Sequence, residues 1–313
     1  MASFLAKRFL SGVLLLFAIS SMAFFLIYAS TTNIASNILG EGATPDQILK
    51  KSHELGLDQP ITTRYLSWLK HAVRGDFGTS WANNDSVVSE IMRRLPVTLS
   101  LVLIAIFIAA VLATTLGVLA AIKGGAIDRT VQILAVAGFA IPGFIVAIIL
   151  VTFLAVKAHI FPATGWVAFG ENPANWAKSI TLPVVSLVIA TMTSSAQQIR
   201  SAVKSVLERD FIRTLTSRGI SRREIIIKHV LRAAAPAGLT VLSLQFVGML
   251  GGTVIVEKIF ALPGMGDLVV NATASGDTPL VMGIVVYTVI IVIVINLVVD
   301  LINGWLNPKV RVQ

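Results

Sequence analysis

The sequence predicts an all-α polytopic membrane protein that crosses the bilayer with six transmembrane helices. Of its 313 residues, 55% are hydrophobic and 13% are charged, and the mean hydropathy is +0.84. An ordinary soluble domain has about 25% charged residues, so this composition is typical of a membrane protein instead. Apolar runs of about 20 residues, the length that spans a bilayer as a helix, recur along the chain.

The charge distribution predicts the membrane orientation. The net charge is +9, and fifteen of the 25 Lys and Arg residues fall in segments that we assign to the cytoplasm. Cytoplasmic loops carry an excess of Lys and Arg, which explains the net charge without nucleic acid binding. We therefore expect six spans with both termini in the cytoplasm, in the inner (plasma) membrane of a cell.

The chain begins with a predicted cytoplasmic N-terminus and first transmembrane helix, residues 1–29. Lys7 and Arg8 precede an uncharged run over residues 9–29. This run is about twice as long as the short apolar region of a signal peptide, so we expect an uncleaved span.

A polar segment, residues 30–95, follows and is expected on the extracytoplasmic side. Thr44 and Pro45 combine a capping residue with a proline at the first helical position, a pattern that starts a helix. Gly56 is expected to end this helix. A second amphipathic helix is expected over residues 61–75.

Residues 96–306 are predicted to form a five-helix transmembrane core. Gly117 belongs to a row of small residues spaced four apart, which allows close approach between helices, and Gly248 and Gly252 form a G-x-x-x-G pair. Pro142 lies in the middle of one span and predicts a kink. The five expected spans are residues 97–122, 130–156, 180–199, 238–256 and 280–306, and a cytoplasmic tail follows at 307–313.

Polar side chains gather in the inner half of the fourth span and in the fifth. Polar groups that face lipid are costly, so these residues are expected to face the helix bundle or a wet cavity. They either form hydrogen bonds between helices or line a pathway across the membrane, and both interpretations stay open. These polar side chains are Thr191, Thr193, Ser194, Ser195, Gln197, Gln198 and Gln245. The candidates for the substrate pathway among them are Ser194, Ser195, Gln197, Gln198 and Gln245.

The segment at residues 200–236 is a basic, amphipathic island between two apolar runs. Apolar side chains at helical spacing predict a first helix over residues 203–215, and Gly219 after it is typical of a helix end. Ser221 and Glu224 then form the S-x-x-E pattern that caps a new helix.

This second helix is expected to end near Pro236. Three interpretations of the island compete: a solvated basic loop, a DNA-binding helix-turn-helix, and a docking surface for a cytoplasmic partner. Membrane spans on both sides disfavour DNA binding. The paired apolar faces and the sharp glycine turn favour docking, because a solvated loop needs neither.

Several stretches resemble one known family. Arg213, Thr214, Leu215 and Gly219 stand where the EAA loop of permease subunits of binding-protein-dependent ABC importers has its signature, with Arg-Thr-Leu in place of Glu-Ala-Ala. The sequence motifs are most similar to those of the dipeptide, oligopeptide and nickel branch. Further matches are LGLDQP at residues 55–60, GDFGTS at 75–80, E-x-x-F-x-L-P-G-x-G at 257–266 and NPKVR at 307–311.

The resemblance implies a type I ABC importer-like permease fold, with residues 96–306 as the permease core. It implies a transport subunit that pairs with a second, similar permease subunit, two ATP-binding subunits and an extracytoplasmic substrate-binding protein, with ATP and Mg bound by the partner subunits. The expected substrates are short peptides, with nickel or another small solute as the alternative. The expected ATPase-coupling residues are Arg213, Thr214, Leu215, Gly219, Ser221 and Glu224.

A helix-breaking turn between the last two spans is a candidate external gate. Pro-Gly-x-Gly disfavours both helix and strand, so this turn could dip toward a central path. Its candidate residues are Phe260, Pro263, Gly264, Gly266 and Asp267.

Other classes of function lack their required residues. The chain has no G-x-x-x-x-G-K-[ST] loop, so we expect no ATP binding or hydrolysis by this chain itself. It has no cysteine, and its four histidines lie far apart, so no catalytic thiol, metal site or cofactor is expected. A self-sufficient secondary transporter often uses intramembrane acids, and only Asp300 lies near a predicted span.

Overall fold

The computed structural model describes residues 2–29, 34–40 and 42–306, and the predicted tail at 307–313 lies outside them. Helices dominate these residues, and an isolated bridge joins Thr79 and Ser86. In chain order the helices are α1 (Ala2–Ala29), α2 (Ile34–Leu39), α3 (Pro45–Glu54), α4 (Ile61–Ala72), α5 (Val87–Lys123), α6 (Gly125–Ala140), α7 (Gly143–Leu150), α8 (Pro173–Leu207), α9 (Asp210–Ser217), α10 (Arg222–Glu224), α11 (Leu231–Ile259), α12 (Met265–Ala274) and α13 (Thr278–Leu306).

Among the described residues, five helical segments are long and apolar enough to cross a membrane, and a bent pair of helices makes a sixth. The six predicted spans thus each correspond to helical structure. The five continuous segments are Ala6–Tyr28, Val87–Lys123, Pro173–Leu207, Arg222–Ile259 and Thr278–Leu306.

The bent pair corresponds to the expected span at residues 130–156, and its helix is broken at Pro142 rather than only kinked. Gly125–Gly138 and Gly143–Lys157 meet at 91°, because Ile141 has an extended backbone (φ −102°, ψ 112°) between them. The ring of Pro142 excludes the helical conformation at the residue before it, and proline has no N–H to continue the hydrogen-bond ladder. After α7, Val151–Lys157 continues as a wider π-helical turn.

Two of the long helices, α5 and α8, begin earlier in the chain than the spans predicted for them. α5 begins at Val87 and carries Pro96 inside it, so the helix starts well before the predicted span at residue 97. α8 begins at Pro173, capped by the Asn172 side chain that accepts from the Asn175 N–H, and so extends the predicted fourth span outward. Hydropathy marks the apolar part of a helix, whereas capping residues mark where its backbone begins.

The chain divides into two compact units. Among the described residues, the N-terminal unit comprises Ala2–Pro96 and Pro263–Val294, and the central unit comprises Val97–Leu262 and residues 295–306. The predicted division at residues 29, 95 and 306 stays a prediction.

The N-terminal unit is built on aromatic packing between α1 and α4. The ring of Phe24, which is fully buried, lies 5.3 Å from that of Tyr65 and 5.5 Å from that of Trp68. As predicted, Thr44 caps α3, and Gly56 follows that helix with a positive φ of 65°. The cap is reciprocal, because the Gln47 side chain also accepts from the Thr44 N–H.

In the central unit, α5 and α8 approach closely through small residues. A Cβ at Gly117 would lie 2.7 Å from the Ala196 carbonyl oxygen and 3.0 Å from the Arg200 nitrogen. Ala113 and Ala196 belong to the same buried cluster. The row of small residues predicted from the sequence is therefore a packing surface, as expected where helices approach without water.

An ion pair joins α6 to α8 in the same unit. The Arg200 guanidinium donates to both oxygens of Asp128, through Nε to one and through Nη2 at 2.6 Å to the other. The two side chains are only 11% and 20% exposed. A bidentate pair of this kind fixes geometry as well as charge, so it holds the start of α6 against the C-terminal part of α8.

The close contact at Gly117 generates a prediction about folding. Gly117→Val places a branched side chain against backbone atoms that cannot rotate away, and overpacking of this kind costs about 1–3 kcal/mol. We expect a lower midpoint of thermal unfolding and less folded protein for this variant, measured by fluorescence-detected size exclusion after a heat series.

Gly251→Ala is the matched control, because a Cβ there meets no atom within 4 Å. An unchanged unfolding midpoint for Gly117→Val would contradict the close packing of α5 on α8.

Candidate coupling and transport sites

The basic island at residues 200–236 contains a short separate helix, α9. The prediction of one helix over residues 203–215 is wrong, because α8 ends at Leu207 and α9 begins at Asp210. Arg209 between them has an extended backbone (φ −74°, ψ 146°), and Asp210 in the first turn of α9 carries the negative charge that a helix N-terminus favours. Apolar spacing continues through the break, so periodicity alone could not reveal it.

α9 has one buried face and one exposed face. Ile212 is buried, and Leu215 packs against the same apolar cluster. Phe211, Arg213 and Thr214 are exposed. Of the predicted coupling residues on α9, Arg213 and Thr214 thus lie on the free face, whereas Leu215 anchors the helix to the rest of the central unit.

Gly219 ends α9 in the conformation predicted for it. Its φ is +76°, its N–H donates to the Thr216 carbonyl, and the Ile220 N–H donates to the Leu215 carbonyl. These two bonds form a Schellman motif, in which a left-handed residue closes the helix. Leu215 and Ile220 both pack on the same cluster, which completes the apolar contact of the motif.

Ser221 caps the next helix, but Glu224 does not complete the predicted box. The Ser221 Oγ accepts from the Glu224 N–H at 3.3 Å. The Glu224 carboxylate instead accepts from the Lys228 ammonium at 2.8 Å. An opposite charge one turn along the helix is a stronger partner than a backbone N–H.

The helix after Ser221 does not end near Pro236 as predicted. It widens into a π-helical stretch, Ile225–Val230, in which the Leu231 N–H donates to the Ile226 carbonyl, and it continues as α11 through Pro236. Proline removes one backbone hydrogen bond, but a long apolar helix keeps all the others, and membrane helices tolerate such a proline. The second helix of the island and the fifth span therefore form one continuous helical segment, Arg222–Ile259.

A cavity of about 300 Å³ lies between α7, α8 and α11 in the central unit. Its polar lining includes Thr191 and Gln245, and its walls include Gly248 and Gly252. Among the described residues, no atom beyond the glycine's own helical turns lies within 4 Å of a Cβ position at either glycine. Within this chain the G-x-x-x-G pair thus opens the cavity rather than packing two helices together.

The predicted pathway residues differ in their surroundings. The Gln245 Nε2 donates to the Ser194 Oγ at 3.0 Å, which joins α11 to α8. Ser195 is fully buried, and Gln197 Oε1 is buried without a hydrogen-bond partner among the described residues. Gln198 is exposed. Only Gln245 of the five lines the cavity, and Thr191, whose hydroxyl donates to the Leu187 carbonyl, was absent from the predicted set.

The candidate gate begins in the central unit with a buried turn. Phe260 and Leu262 are almost fully buried, and the Phe260 carbonyl accepts from the Gly165 N–H at 3.0 Å. In the last turn of α11, the fully buried Glu257 accepts from the Thr98 hydroxyl at 2.6 Å. These contacts hold the turn firmly.

The remaining gate residues belong to the N-terminal unit. The sequence Pro-Gly-x-Gly was expected to disfavour helix throughout, and the structure shows this for its first two residues only. Pro263 and Gly264 precede α12, but Gly266 and Asp267 lie inside it. A single glycine does not end a helix when the surrounding residues continue it. The Asp267 carboxylate lies 3.5 Å from Arg94 Nη1.

Two family models match the sequence along most of its length. The inner membrane component of binding-protein-dependent transport systems matches residues 113–312, and the N-terminal membrane component of the same systems matches residues 1–102. The chain belongs to this family. It is a multi-pass inner-membrane permease subunit of the ABC importer class rather than a self-sufficient secondary transporter.

Relatives of this permease share its full length. A dipeptide transport system permease protein of Bacillus subtilis is 34% identical, over 100% of this chain and 99% of its own. An oligopeptide transport system permease protein of Mycobacterium bovis is 33% identical, over 100% of both chains. The inward-facing MetNI methionine ABC transporter has the same fold, with a TM-score of 0.57 at 18% identity over 70% of this chain and 97% of that chain.

Sequence reasoning missed two contacts of the permease that the fold assembles. These are the Asp128–Arg200 pair and the Thr98–Glu257 contact. Each pair joins residues that lie far apart in the chain, from different helices, and no local spacing signals such a contact. The only available signal was a charged side chain placed next to an apolar run.

The cavity generates a prediction about water access. A cysteine in place of Gly252 fits the open space there, and the chain has no other thiol. We expect Gly252→Cys to react with a water-soluble methanethiosulfonate reagent in the reconstituted importer, measured by mass shift.

Leu244→Cys is the control on the same helix, since Leu244 is 67% exposed on the surface of this chain but does not line the cavity. Equal or faster modification at position 244 would contradict a water-filled path at Gly252.

Proposed function

We propose that this permease forms, with a second permease subunit, the membrane pathway of an ATP-driven importer of short peptides. The observation that carries the proposal is its full-length similarity to the dipeptide and oligopeptide permeases, at 34% and 33% identity. Similarity over the whole chain includes the external segment as well as the core. Peptides are favoured over nickel because both relatives are named for peptide transport.

The exposed face of α9 is the proposed docking surface for an ATPase subunit. Its Phe211, Arg213 and Thr214 project from a helix whose other face is anchored by Ile212 and Leu215. A helix that is anchored by one face and exposed on the other can transmit a movement of a bound partner to the spans that precede and follow it in the chain. Gly219 and Ser221 set where α9 ends and where the next helix begins.

The other partners follow from the importer class. A similar permease subunit, two ATP-binding subunits and an extracytoplasmic substrate-binding protein complete the proposed assembly, and the ATP-binding subunits bind and hydrolyse ATP with Mg. The orientation has both termini in the cytoplasm, supported by the excess of Lys and Arg in residues 200–232. Docking of α9 on an ATPase requires this orientation, so the two proposals depend on each other.

The substrate pathway is proposed to pass the cavity at Gln245, Gly248 and Gly252. Gln245 supplies a hydrogen-bonding group, and the two glycines expose helix backbone to the opening. Ser194, Ser195, Gln197 and Gln198 would support or extend this path from α8. Residues Phe260, Pro263, Gly264, Gly266 and Asp267 remain the proposed outer gate.

Uptake by the reconstituted importer tests the function. The chain, its permease partner, the ATPases and the binding protein are incorporated into liposomes, and uptake of a labelled dipeptide and of labelled nickel is measured with and without ATP. We expect ATP-dependent uptake of the dipeptide alone. ATP-dependent uptake of nickel without the dipeptide would contradict the proposed substrate.

The turn at Gly219 generates a prediction about coupling. A β-branched residue at a φ of +76° is strained by about 1–2 kcal/mol, although a Cβ there meets no atom within 4 Å. We expect Gly219→Val to change the angle at which α9 leaves the turn, so that ATP hydrolysis proceeds with little uptake or the ATPases bind weakly.

Gly219→Ala is the milder comparison, and Gly251→Ala is a control away from the turn. Normal uptake and normal substrate-stimulated ATPase activity for Gly219→Val, measured in the same liposomes, would remove the support for coupling through α9.

A further inference from the structure

The N-terminal unit contains a cavity of its own, of about 530 Å³, which neither the coupling helix nor the proposed pathway uses. It lies between the end of α1, the α3–α4 turn, α4 and the loop that follows it. Its volume falls in the range of about 300–1,000 Å³ that is typical of small-molecule sites. Aromatic side chains form much of its wall, namely Tyr28, Trp68, Phe77 and Trp81.

Two buried hydrogen-bond donors in this wall have no acceptor. Arg64 Nη2 and Trp68 Nε1 are shielded from solvent, and neither has a hydrogen-bond partner among the described residues. Both side chains line the cavity. A buried donor that is left unpaired costs free energy, about 1–3 kcal/mol and more for a charged group, so the pair favours an acceptor that enters from outside the chain.

Neighbouring residues hold these donors in place. The Arg64 guanidinium stacks over the Tyr28 ring at 4.0 Å, and Trp68 packs against Phe24 and Tyr65. Opposite them, the backbone N–H of Trp81 donates to the fully buried Asp277 at 3.1 Å. A site whose groups are already fixed loses little entropy when a ligand binds.

The charge of the lining selects the kind of acceptor. The lining contains Arg64 and two exposed carboxylates, Glu54 and Asp76. A phosphate dianion or another multiply charged anion would be repelled by these acids. A zwitterion with one carboxylate and one ammonium group matches both signs, and an apolar side chain matches the aromatic wall.

We propose that this cavity binds a short peptide by its C-terminal carboxylate, which accepts from Arg64 Nη2 and Trp68 Nε1. Glu54 and Asp76 then favour the amino end, and the aromatic residues contact a side chain. This inference rests on the proposed function for its choice of a peptide. It places a second peptide-binding site on the permease, separate from the membrane pathway.

Calorimetric titration tests the site, with the importer complex in lipid nanodiscs and without the binding protein. The probes are the dipeptide Ala-Phe, its C-terminal amide and inorganic phosphate. We expect Ala-Phe to bind at least about tenfold more tightly than its amide, because the amide removes the charge that Arg64 recognises. Inorganic phosphate is expected not to displace Ala-Phe at equal concentration.

Two variants address the donors separately. Arg64→Gln is expected to weaken Ala-Phe binding by about tenfold or more. Trp68→Phe removes the N–H donor together with part of the ring system, and it is expected to weaken binding by about fivefold. Arg74→Gln is the matched control, because Arg74 is an exposed arginine of the same segment that does not line the cavity. Thermal unfolding of each complex checks that the variants are folded.

The outcomes separate this site from the proposed function, because dipeptide uptake is measured on the same complexes. Ala-Phe binding that depends on Arg64 and Trp68 supports the site, even where no uptake occurs and the peptide-import proposal fails. Ala-Phe binding that is unchanged in both variants overturns the site, even where uptake is normal. Equal binding of dipeptide and amide, or displacement of the dipeptide by phosphate, also overturns it.

Discussion

Inside a bilayer no water is available to satisfy backbone N–H and C=O groups, so a chain of this hydropathy must satisfy them within helices. The long segments α5, α8, α11 and α13 follow from this requirement. It also makes each interruption of a helix informative, because an interruption at membrane depth leaves polar groups that another contact must satisfy. In this permease the break at Ile141, in the middle of the expected span at residues 130–156, is such a position.

The helix breaks also separate the proposed coupling helix from the long helices beside it. The extended backbone at Arg209 and the left-handed one at Gly219 free an eight-residue helix, α9, from the long segments on either side. Ile212 and Leu215 then fix α9 to the apolar cluster that also contains Val203 and Ala234. Under the proposed coupling role, a movement of α9 is passed to α8 and α11, which line the cavity at Gln245 together with α7.

Local signals in the sequence predicted much of this structure. Runs of apolar residues located six spans, the Thr44 cap located α3, and Gly219 located the end of α9, because each depends on a few adjacent side chains. The continuation through Pro236 and the break at Arg209 could not be predicted in this way. They depend on whether the surrounding packing tolerates one missing or one bent backbone unit, and the apolar period is the same in either case.

The candidate sites, too, were predicted only where local signals in the sequence sufficed. The family resemblance identified residues 213–219, but only the fold shows that Leu215 faces inward while Arg213 and Thr214 face outward. Likewise, polarity singled out Gln245, whereas Thr191 and the two open glycines became part of the cavity only through the packing of α7, α8 and α11. Such surfaces are formed by contacts between segments that lie far apart in the chain, and a single sequence carries no signal of these contacts.

Cross-linking from α9 tests the central claim, that its exposed face docks on an ATPase subunit. The chain has no cysteine, so a single thiol at Thr214→Cys can be joined by a short bismaleimide to thiols placed on the ATPase surface of the assembled importer. We predict strong cross-linking from position 214 and much weaker cross-linking from Arg129→Cys, an exposed site on α6. Cross-linking no stronger at 214 than at 129, in complexes that still import substrate, would contradict this docking.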